Sequence, residues 1–361
     1  MGLIAFELSG EHPDIPVAEV IGALESEDIE FSVLYQLDQV LIVDIPNADV
    51  ISNVNVNSTA TATANADMDQ VSKLSKRLAL TWHIIIVLGI SDSMLPDIMN
   101  MVENVDFDEP ASLTYKVRAK KIKRKSPISS EDIERKIGGV LYNKGYRADL
   151  INPDVRYRAV LTDGKCIFGR VLASVDRGSF EDRRPQNKPF FYPGVLMPRL
   201  ARSLVNIARV GPGSMILDPY CGTGGILVEA GIMGAVTLGC DVQRKILLGA
   251  RMNLDFYVPD HSLMFQDAGN MALKDSCIDC VVTDPPYGRS ALIQARSLDI
   301  LMKHSLCEMF RVLRPGGRAV VVSECPVDEW AASASFSVVD VYIQRVHRSL
   351  TRRITVLDKL Q

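Results

Sequence analysis

Short apolar runs alternate with amphipathic stretches along the first 90 residues. The runs "LIAFEL", "FSVLYQL", "QVLIVDI" and "WHIIIVLGI" have the length and the β-branched content of strands. Between them, "IPVAEVIGALES" and "DQVSKLSKRLAL" carry apolar residues at helical spacing. The order β-α-β-β-α-β predicts a ferredoxin-like domain over residues 1–90. The polar segment around residues 54–68 is compatible with a loop or an edge strand, and the pattern does not decide between them.

Residues 91–175 follow a second, more basic pattern. "TYKVRAKKIKRK" alternates apolar and basic residues, so one face of a strand can be buried while the other carries positive charge. The helix-like "SSEDIERKIGGVLYNKG" begins at a serine N-cap and ends at Gly145. Two further strand-like runs flank Asp163-Gly164, a hairpin turn signal. The pattern predicts a small, basic α/β domain, followed by a polar linker over residues 176–192.

Over residues 193–361, strand-like and helix-like segments alternate regularly. This alternation predicts a doubly wound, mainly parallel sheet with helices on both faces, so the fold class is α/β. The runs "FSVVDVYIQRV" and "LTRRITVLDK" have no long helix between them. We therefore expect one of these last two strands to be antiparallel.

Composition and charge narrow the class of protein. With 361 residues, 47% hydrophobic and 23% charged, the chain has the composition of a globular protein of two or three domains. The net charge of −4 hides an asymmetry, because residues 1–110 carry 19 Asp+Glu against 3 Lys+Arg and the rest carry 25 against 37. The first segment therefore repels nucleic acid, whereas the rest can attract it.

Nothing in the sequence indicates a membrane or an oxidising compartment. The longest apolar run, residues 80–90, is about half the length of a membrane span and contains His83. No secretory signal opens the chain, and most of the seven cysteines lie in apolar segments, as reduced thiols do. We therefore expect a cytoplasmic protein without disulfides. Cys277 and Cys280 could supply half of a zinc site, but no second pair completes it, so we expect no metal.

A glycine turn in "ILDPYCGTGGILVEAG" indicates a ligand at the carboxyl end of a strand. Gly222 and Gly224 permit a sharp turn and close approach of the backbone. The dinucleotide pattern G-x-G-x-x-G fails, since Leu227 takes the third glycine position. Asp218 is poorly placed beside a pyrophosphate, whereas a ligand that carries an ammonium and a sulfonium would be attracted to it. S-adenosylmethionine is such a ligand.

Two further aspartates end the strands that follow. Asp241 comes 23 residues after Asp218, where a carboxylate can accept hydrogen bonds from ribose hydroxyls. Asp267 is placed to accept from an adenine amino group, with the backbone of Ala268 facing the ring. Each aspartate alone could be only a helix N-cap, but their register with the glycine turn favours a ligand. The residues that we expect to bind S-adenosylmethionine are Asp218, Cys221, Gly222, Thr223, Gly224, Asp241, Asp267 and Ala268.

The stretch "TDPPYGRS" supplies the candidate catalytic residues. An exocyclic amine on a nucleobase is a poor nucleophile, because its lone pair is delocalised into the ring. The Asp284 carboxylate and the Pro285 carbonyl could accept hydrogen bonds from both N–H groups and aim the lone pair at a methyl donor. Pro286 stiffens the backbone, and Tyr287 could stack on the base. The pattern predicts an amino-methyltransferase.

These motifs resemble those of a known family. "DPPY" resembles the D/N/S-P-P-Y/F motif of class I amino-methyltransferases, and "LDPYCGTGGILVEAG" resembles their cofactor motif in its RNA-modifying form. Residues 114–175 look like the core of a THUMP domain, an RNA-binding module. The whole chain resembles the archaeal tRNA (guanine(10)-N2)-methyltransferases. This resemblance implies a THUMP domain at 91–175 and a class I, Rossmann-like methyltransferase domain at 193–361, whose seven-stranded sheet has a reversed final strand.

The same resemblance implies an activity and partners. S-adenosylmethionine would supply a methyl group to the exocyclic N2 of guanosine 10 in tRNA, giving the N2-methyl or the N2,N2-dimethyl form. A small activator protein is a further partner that the family allows. Residues 190–208 resemble the family's helix before the first strand of the sheet, although Tyr192 and Met197 stand where histidines often occur.

Basic side chains mark the expected RNA surface. Such residues neutralise phosphates and release counterions, which gives salt-sensitive affinity. The densest basic run covers residues 116–125, and further arginines lie in the linker and beside the catalytic motif. The residues that we expect to contact RNA are Lys116, Arg118, Lys120, Lys121, Lys123, Arg124, Arg183, Arg184 and Arg289.

Other functions remain open at this point. The catalytic motif does not identify the base, so the substrate could be adenine N6 in DNA or a guanine at another tRNA or rRNA position. A non-catalytic tRNA-binding module would share the basic surface, but Asp284 and Tyr287 argue against it. A THUMP-bearing thiouridine synthase would need an adenylating loop, which we do not find in the sequence.

Overall fold

The computed structural model describes residues 2–46, 62–107, 109–123, 128–258, 260–286, 298–348 and 350–360. The chain folds into two units, which comprise residues 1–17 with 28–176 and residues 18–27 with 177–361. Among the described residues, no helix has both the length and the apolar character that crossing a membrane requires. The predicted domain boundaries at residues 90, 175 and 192 stay predictions.

An eight-stranded sheet forms the centre of the first unit. Its strands are β1 (Gly2–Leu8), β2 (Ser32–Leu37), β3 (Val40–Ile45), β4 (Thr81–Asp92), β5 (Thr114–Lys121), β6 (Arg147–Ala148), β7 (Val155–Thr162) and β8 (Lys165–Ser174). Its helices are α1 (Ile15–Ser26), which continues into the second unit, α2 (Ala62–Arg77), α3 (Leu95–Glu103) and α4 (Ser130–Asn143). The spatial order is β2-β3-β1-β4-β8-β7-β5-β6. Antiparallel pairing of β4 with β8 therefore joins all eight strands into one sheet.

The described elements of the first 92 residues follow the predicted order, β1-α1-β2-β3-α2-β4. Of the polar segment around residues 54–68, the described part begins at Ala62 and is the start of α2. The sequence pattern allows a loop or an edge strand there, and the structure shows a helix from Ala62. Alanine at every second position from Ala62 to Ala66 gives this part a helix propensity that the alternation with polar residues does not suggest.

Apolar residues at helical spacing attach α4 to the sheet. Ile133, Ile137 and Leu141 recur at every fourth position, so they share one face of the helix, and all three are buried. They belong to one apolar cluster with Tyr157 of β7 and Phe168 of β8. The apolar face of α4 and the buried side chains of β7 and β8 thus form one core on this face of the sheet.

The second unit contains a seven-stranded sheet. Its strands are β9 (Met215–Asp218), β10 (Val236–Asp241), β11 (His261–Phe265), β12 (Ile278–Thr283), β13 (Leu313–Ser323), β14 (Ser337–His347) and β15 (Leu350–Asp358). Its further helices are α5 (Ser179–Asp182), α6 (Pro198–Ile207), α7 (Gly225–Ile232), α8 (Arg244–Tyr257), α9 (Leu298–Val312) and α10 (Asp328–Ser333). The spatial order is β11-β10-β9-β12-β13-β15-β14.

The prediction of one reversed strand at the end of the sheet is confirmed. β15 pairs antiparallel with both β13 and β14, whereas β9 to β13 pair in parallel. The order of the strands reverses at β9, which lies between β10 and β12. In a doubly wound sheet, ligands bind at the carboxyl ends of the strands that flank such a reversal. We therefore expect a ligand site at the carboxyl ends of β9, β10 and β12.

Close strand packing at Gly169 can be tested by substitution. A Cβ on Gly169 of β8 would overlap the backbone oxygen of Ile86 in β4. We expect Gly169→Ala to lower the free energy of unfolding by about 1–3 kcal/mol, which circular dichroism would report as a lower urea midpoint. Gly139→Ala is the matched control, because a Cβ on that helical glycine meets nothing within 4 Å. A midpoint for Gly169→Ala at or above that of the wild type would contradict the packing.

Candidate active site

Acidic side chains gather where the central strands of the second sheet end. Asp218 and Asp241 are the last residues of β9 and β10, and Asp284 directly follows β12. A larger chamber of about 370 Å³ is lined by Asp241, Asp267 and Asp284, among others. A smaller chamber of about 180 Å³ is lined by Asp218 and Asp284, and both chambers border Thr223. The fold thus brings together the four aspartates that the sequence singled out.

The turn between β9 and α7 requires glycine at two positions. Gly222 has a φ of 52° and Gly224 a φ of 78°, values that favour glycine over any residue with a side chain. The carboxylate of Asp241 holds this turn from the neighbouring strand. Its Oδ2 accepts a hydrogen bond from the Gly222 N–H (3.1 Å), and its Oδ1 accepts one from the Gln243 N–H (2.7 Å). Since a carboxylate offers about four acceptor positions, Asp241 can still accept from a ligand diol.

The other two predicted residues of the turn are buried within it. Cys221 is 4% exposed and Thr223 is 3% exposed. The Cys221 carbonyl accepts a hydrogen bond from the Gly224 N–H (2.7 Å), which closes the turn. Burial is the main cause that raises the pKa of the Cys221 thiol well above its ordinary value. Cys221 therefore stays a thiol and shapes the turn through its backbone.

Asp218 is a buried carboxyl group with a perturbed protonation equilibrium. It is 2% exposed, and its Oδ1 accepts hydrogen bonds from the Thr283 hydroxyl (2.7 Å) and the Tyr220 N–H (3.1 Å). Burial raises the pKa of Asp218 to about 7, and the nearby carboxylates of Asp284 and Asp241 also raise it. A cation bound beside Asp218 would favour its ionised form. The smaller chamber is therefore suited to a positively charged group.

The predicted adenine-binding residues lie at the far wall of the larger chamber. Asp267 Oδ1 accepts a hydrogen bond from the Gly269 N–H (2.8 Å), which fixes the carboxylate at the chamber's edge. Ala268 is 1% exposed and also lines the chamber, as do the apolar side chains of Val242 and Ile246. An acceptor beside apolar walls suits a flat aromatic ring that carries an amino group.

The catalytic stretch is joined to the turn by a buried hydroxyl. Thr283 is fully buried, and its hydroxyl donates to Asp218 across the neighbouring strands. Asp284 and Pro286 line the larger chamber, and Pro285 between them is buried. Tyr287, the fourth predicted catalytic residue, lies outside the described residues. The structure thus places Asp284 and Pro286 at the same chamber as the predicted cofactor residues.

Sequence reasoning missed Asn253 of α8, which fixes two segments around the chambers. Its side-chain oxygen accepts from the Phe190 N–H (2.8 Å), while its amide group donates to the carbonyls of Phe190 and Thr223 (both 3.0 Å). The Phe190 ring packs against Gly249, where a Cβ would overlap it. The segment after Phe190 then lines both chambers through Tyr192. An asparagine inside an amphipathic helix gives no sequence signal for this role.

Comparison with known proteins decides the family. A family model described as RMKL-like methyltransferase domain matches residues 185–354, and a THUMP domain model matches residues 94–169. The tRNA (guanine(10)-N2)-dimethyltransferase of Methanothermobacter thermautotrophicus is 34% identical over 98% of this chain and 98% of its own. The chain belongs to the tRNA (guanine(10)-N2)-dimethyltransferase family. The family member of that name from Methanocaldococcus jannaschii is 29% identical over 99% of this chain and 100% of its own.

A solved structure shares the fold of this tRNA (guanine(10)-N2)-dimethyltransferase family member. TrmN from Thermus thermophilus has a TM-score of 0.52 at 19% identity and matches 99% of this chain and 100% of its own. The predicted class I methyltransferase fold and the family resemblance are thus confirmed. The protein is a methyltransferase that depends on S-adenosylmethionine.

The chambers fit this cofactor by their chemistry. The buried carboxyl of Asp218 suits an ammonium group, and Asp241 keeps acceptor capacity for a diol. The apolar walls beside Asp267 suit a purine ring. Among the described residues, no group of three or more His, Cys, Asp or Glu side chains could hold a metal ion.

Most of the predicted RNA-binding residues on and after β5 contact groups of the chain itself. Arg118 pairs with Glu134 (2.8 Å), Lys120 with Glu7 (3.1 Å) and Lys123 with Asp38 (2.7 Å). Two lysines donate to backbone carbonyls, namely Lys116 to that of Leu150 and Lys121 to that of Ile128 (both 2.6 Å). Glu7 is 1% exposed, so its partner Lys120 has a structural role in the sheet. Arg124 and Arg289 lie outside the described residues.

The two predicted linker arginines differ in exposure. Arg183 is 12% exposed, and its Nε lies 2.8 Å from the fully buried carboxylate of Glu229. This ion pair holds the Arg183 guanidinium inside the unit, and an RNA-binding role for Arg183 stays a prediction. Arg184 is 41% exposed and forms a surface ion pair with Glu181 (2.5 Å). The ion pair of Arg183 has no local sequence signal, because its partner lies 46 residues away.

Cofactor binding should depend on pH through Asp218. The ammonium group of S-adenosylhomocysteine should bind best to an ionised carboxylate, and Asp218 ionises only as the pH rises through its raised pKa of about 7. We expect calorimetric affinity to rise about tenfold between about pH 6 and about pH 8. Asp218→Asn should flatten the profile. A wild-type affinity that stays constant over this range would contradict the role of Asp218.

Proposed function

We propose that the protein methylates the exocyclic N2 of guanosine 10 in tRNA. The observation that carries this proposal is the Thr283–Asp218 hydrogen bond, which ties the strand before the catalytic stretch to the strand before the glycine turn. Asp284 lines both chambers as a result of its position directly after Thr283. The names of two relatives, both tRNA (guanine(10)-N2)-dimethyltransferases, support the choice of base and position.

In this proposal, the cofactor is held by three acidic groups and the turn. Asp218 would hold the ammonium group, Asp241 the ribose hydroxyls, and Asp267 the adenine amino group, with the backbone of Ala268 facing the ring. S-adenosylmethionine, when bound, supplies an electrophilic methyl group. The positive-φ glycines keep side chains out of its path, as a close approach of backbone and ligand requires.

The residues after β12 act on the substrate amine. The Asp284 carboxylate and the Pro285 carbonyl accept hydrogen bonds from its two N–H groups, which orients the nitrogen lone pair. Pro286 restricts the backbone, so these acceptors are positioned before the base arrives. The Asp284 carboxylate then accepts the proton that the nitrogen releases. Tyr287 stacks on the base in this proposal.

Methyl transfer to a defined tRNA tests the proposal. The protein is incubated with methyl-labelled S-adenosylmethionine and an unmodified tRNA transcript, and the labelled nucleosides are identified and located. We expect N2-methylguanosine or N2,N2-dimethylguanosine at position 10. A transcript with inosine at position 10, which lacks the exocyclic amine, should accept no label there. Label on another nucleoside would contradict the proposed target, and no label despite cofactor and tRNA binding would favour a non-catalytic tRNA-binding module.

Asp284→Ala separates catalysis from binding in the same assay. We expect methyl transfer to fall by about 100-fold or more, because an acceptor and proton-accepting group is lost. Affinity for S-adenosylhomocysteine, measured by calorimetry, should stay close to that of the wild type. Asp275→Ala is the control, since that carboxylate is 76% exposed on the same unit. Full turnover by Asp284→Ala would remove Asp284 from the catalytic residues.

We also propose a site of action and further partners. The protein acts in the cytoplasm on tRNA.

Residues of the first unit contact the tRNA backbone in this proposal. Arg118 and Lys123 are the best candidates, since their side chains are 48% and 64% exposed, whereas their partners Glu134 and Asp38 are 19% and 24% exposed. Water reaches the cationic side of each pair, so a phosphate can compete for these two side chains. A small activator protein stays a prediction, which addition of a candidate to the same assay would test.

The RNA surface can be tested without disturbing the sheet. We expect the double substitution Arg118→Gln and Lys123→Gln to weaken tRNA binding and to lower the salt dependence of the binding constant by a slope of up to about 2. Filter binding over a salt series measures both quantities. Lys165→Gln is the matched control, because Lys165 is 50% exposed and pairs with Asp92 in the same unit. Equal effects of the control and the double variant would contradict this placement.

A further inference from the structure

The last two strands of the second unit carry a run of positive charge. From residue 341 to residue 357, the chain contains four arginines and His347 but no aspartate or glutamate. The arginines of this run are Arg345, Arg348, Arg352 and Arg353. A run of this kind has no acidic side chains of its own that could neutralise it, so it attracts anions.

Three of these arginines form no ion pair with any residue that the structure describes, namely Arg345, Arg348 and Arg353. Arg345 and Arg348 are exposed. The Nε of Arg353 is buried, and it has no hydrogen-bond partner within the described part of the chain. By contrast, Arg318 of the neighbouring strand β13 pairs with Asp358 (2.7 Å). Arg345 and Arg348 are therefore available to an anion from outside the chain.

The register of the sheet places this hairpin at the edge that carries the catalytic stretch. β13 runs parallel to β12, and its last residue, Ser323, pairs with Arg353 of β15. Thr283, the last residue of β12, pairs with Val321, which lies two residues earlier in β13. Arg353 is therefore close to the level of Asp284, at the carboxyl edge of the parallel strands.

The hairpin extends beyond the other strands at this edge. β13 ends at Ser323, whereas β14 and β15 continue to pair as far as His347 and Leu350. Two strand spacings separate β12 from β15, and a third leads to β14. With about 4.8 Å between strands and about 3.3 Å per residue, Arg345 and Arg348 lie roughly 15–20 Å from Asp284. An RNA strand covers this distance within a few nucleotides.

We propose that Arg345, Arg348 and Arg353, the hairpin arginines, bind phosphates of the tRNA strand next to the methylated nucleotide. This inference rests on the proposed function, since Asp284 determines which nucleotide lies beside the hairpin. Guanidinium groups bind phosphates through charge-assisted hydrogen bonds, and the neutralised phosphates release counterions. The hairpin arginines thus hold the substrate strand while Asp284 acts on the amine.

Binding of an unmodified tRNA transcript, without cofactor, tests the proposal. Filter binding over a salt series compares the wild type with the double variant Arg345→Gln and Arg348→Gln, in which both substituted side chains are exposed. We expect the double variant to bind about 10-fold more weakly at about 0.1 M salt, with a salt slope smaller by up to about 2. Its affinity for S-adenosylhomocysteine, measured by calorimetry, should equal that of the wild type, which also shows that it is folded.

Two further variants separate charge from structure. Arg251→Gln with Arg314→Gln is the matched control, because it removes two exposed arginines of the same unit that lie outside the hairpin. This control should bind tRNA like the wild type. Arg345→Lys with Arg348→Lys keeps both charges and should keep most of the affinity, since a lysine also neutralises a phosphate.

Modified transcripts locate the contact. Each transcript carries one methylphosphonate, an uncharged analogue of a phosphate, at one of the positions next to the nucleotide that the wild type methylates. We expect at least one of these transcripts to bind the wild type more weakly than the unmodified transcript does. The same transcript should bind the double variant no more weakly than the unmodified one, because both changes remove one contact.

Other outcomes overturn the proposal in distinct ways. Equal tRNA affinities of the double variant and the wild type would show that the hairpin arginines do not bind tRNA, and would leave the hairpin to a protein partner. Additive weakening by the double variant and by every methylphosphonate would place their contact away from the methylated nucleotide. A wild type that binds tRNA but methylates no nucleotide would contradict the proposed function, while the binding comparison would still decide whether the hairpin arginines bind tRNA.

Discussion

The active site depends on one buried hydrogen bond, from the Thr283 hydroxyl to the Asp218 carboxyl. Parallel pairing sets Val281 beside Leu217, so the ends of β12 and β9 lie at the same level of the sheet. Thr283 then faces Asp218, and the residue after it enters both chambers. Because the bond is fully buried, little water competes for it. The distance between the cofactor turn and the catalytic stretch is therefore fixed by the sheet and not by a loop.

The parts of the site that sequence reasoning found are those with a local physical cause. A turn with φ values of 52° and 78° needs glycine, and Gly222 and Gly224 are visible in the sequence. Asp218 and Asp241 stand out because each ends a short apolar run, and the carboxyl ends of parallel strands share one edge. The reversed strand β15 was predictable as well, since no long helix separates it from β14.

The parts that sequence reasoning missed depend on contacts between distant residues. Asn253 accepts a hydrogen bond from Phe190, which lies 63 positions away, and no local sequence pattern near either residue predicts this contact. The basic run on and after β5 predicts an RNA surface, but it does not reveal that Lys120 contacts the buried Glu7 of β1 or that Lys123 contacts Asp38. The single eight-stranded sheet was missed for the same reason, because the pairing of β4 with β8 joins segments that look like separate domains in sequence. A run of basic residues predicts a positively charged surface, but only the fold determines which of those side chains form ion pairs with carboxylates of the chain.

Asn253 also constrains which segments of this chain can be exchanged separately. One amide group satisfies backbone groups of both the Phe190 segment and the glycine turn, so a change at this position releases two segments at once. The Phe190 ring in turn requires Gly249 on the same helix. A chimera that takes the linker from one homologue and α8 from another would separate these matched parts. The Phe190 segment and α8 of this chain should therefore be exchanged together.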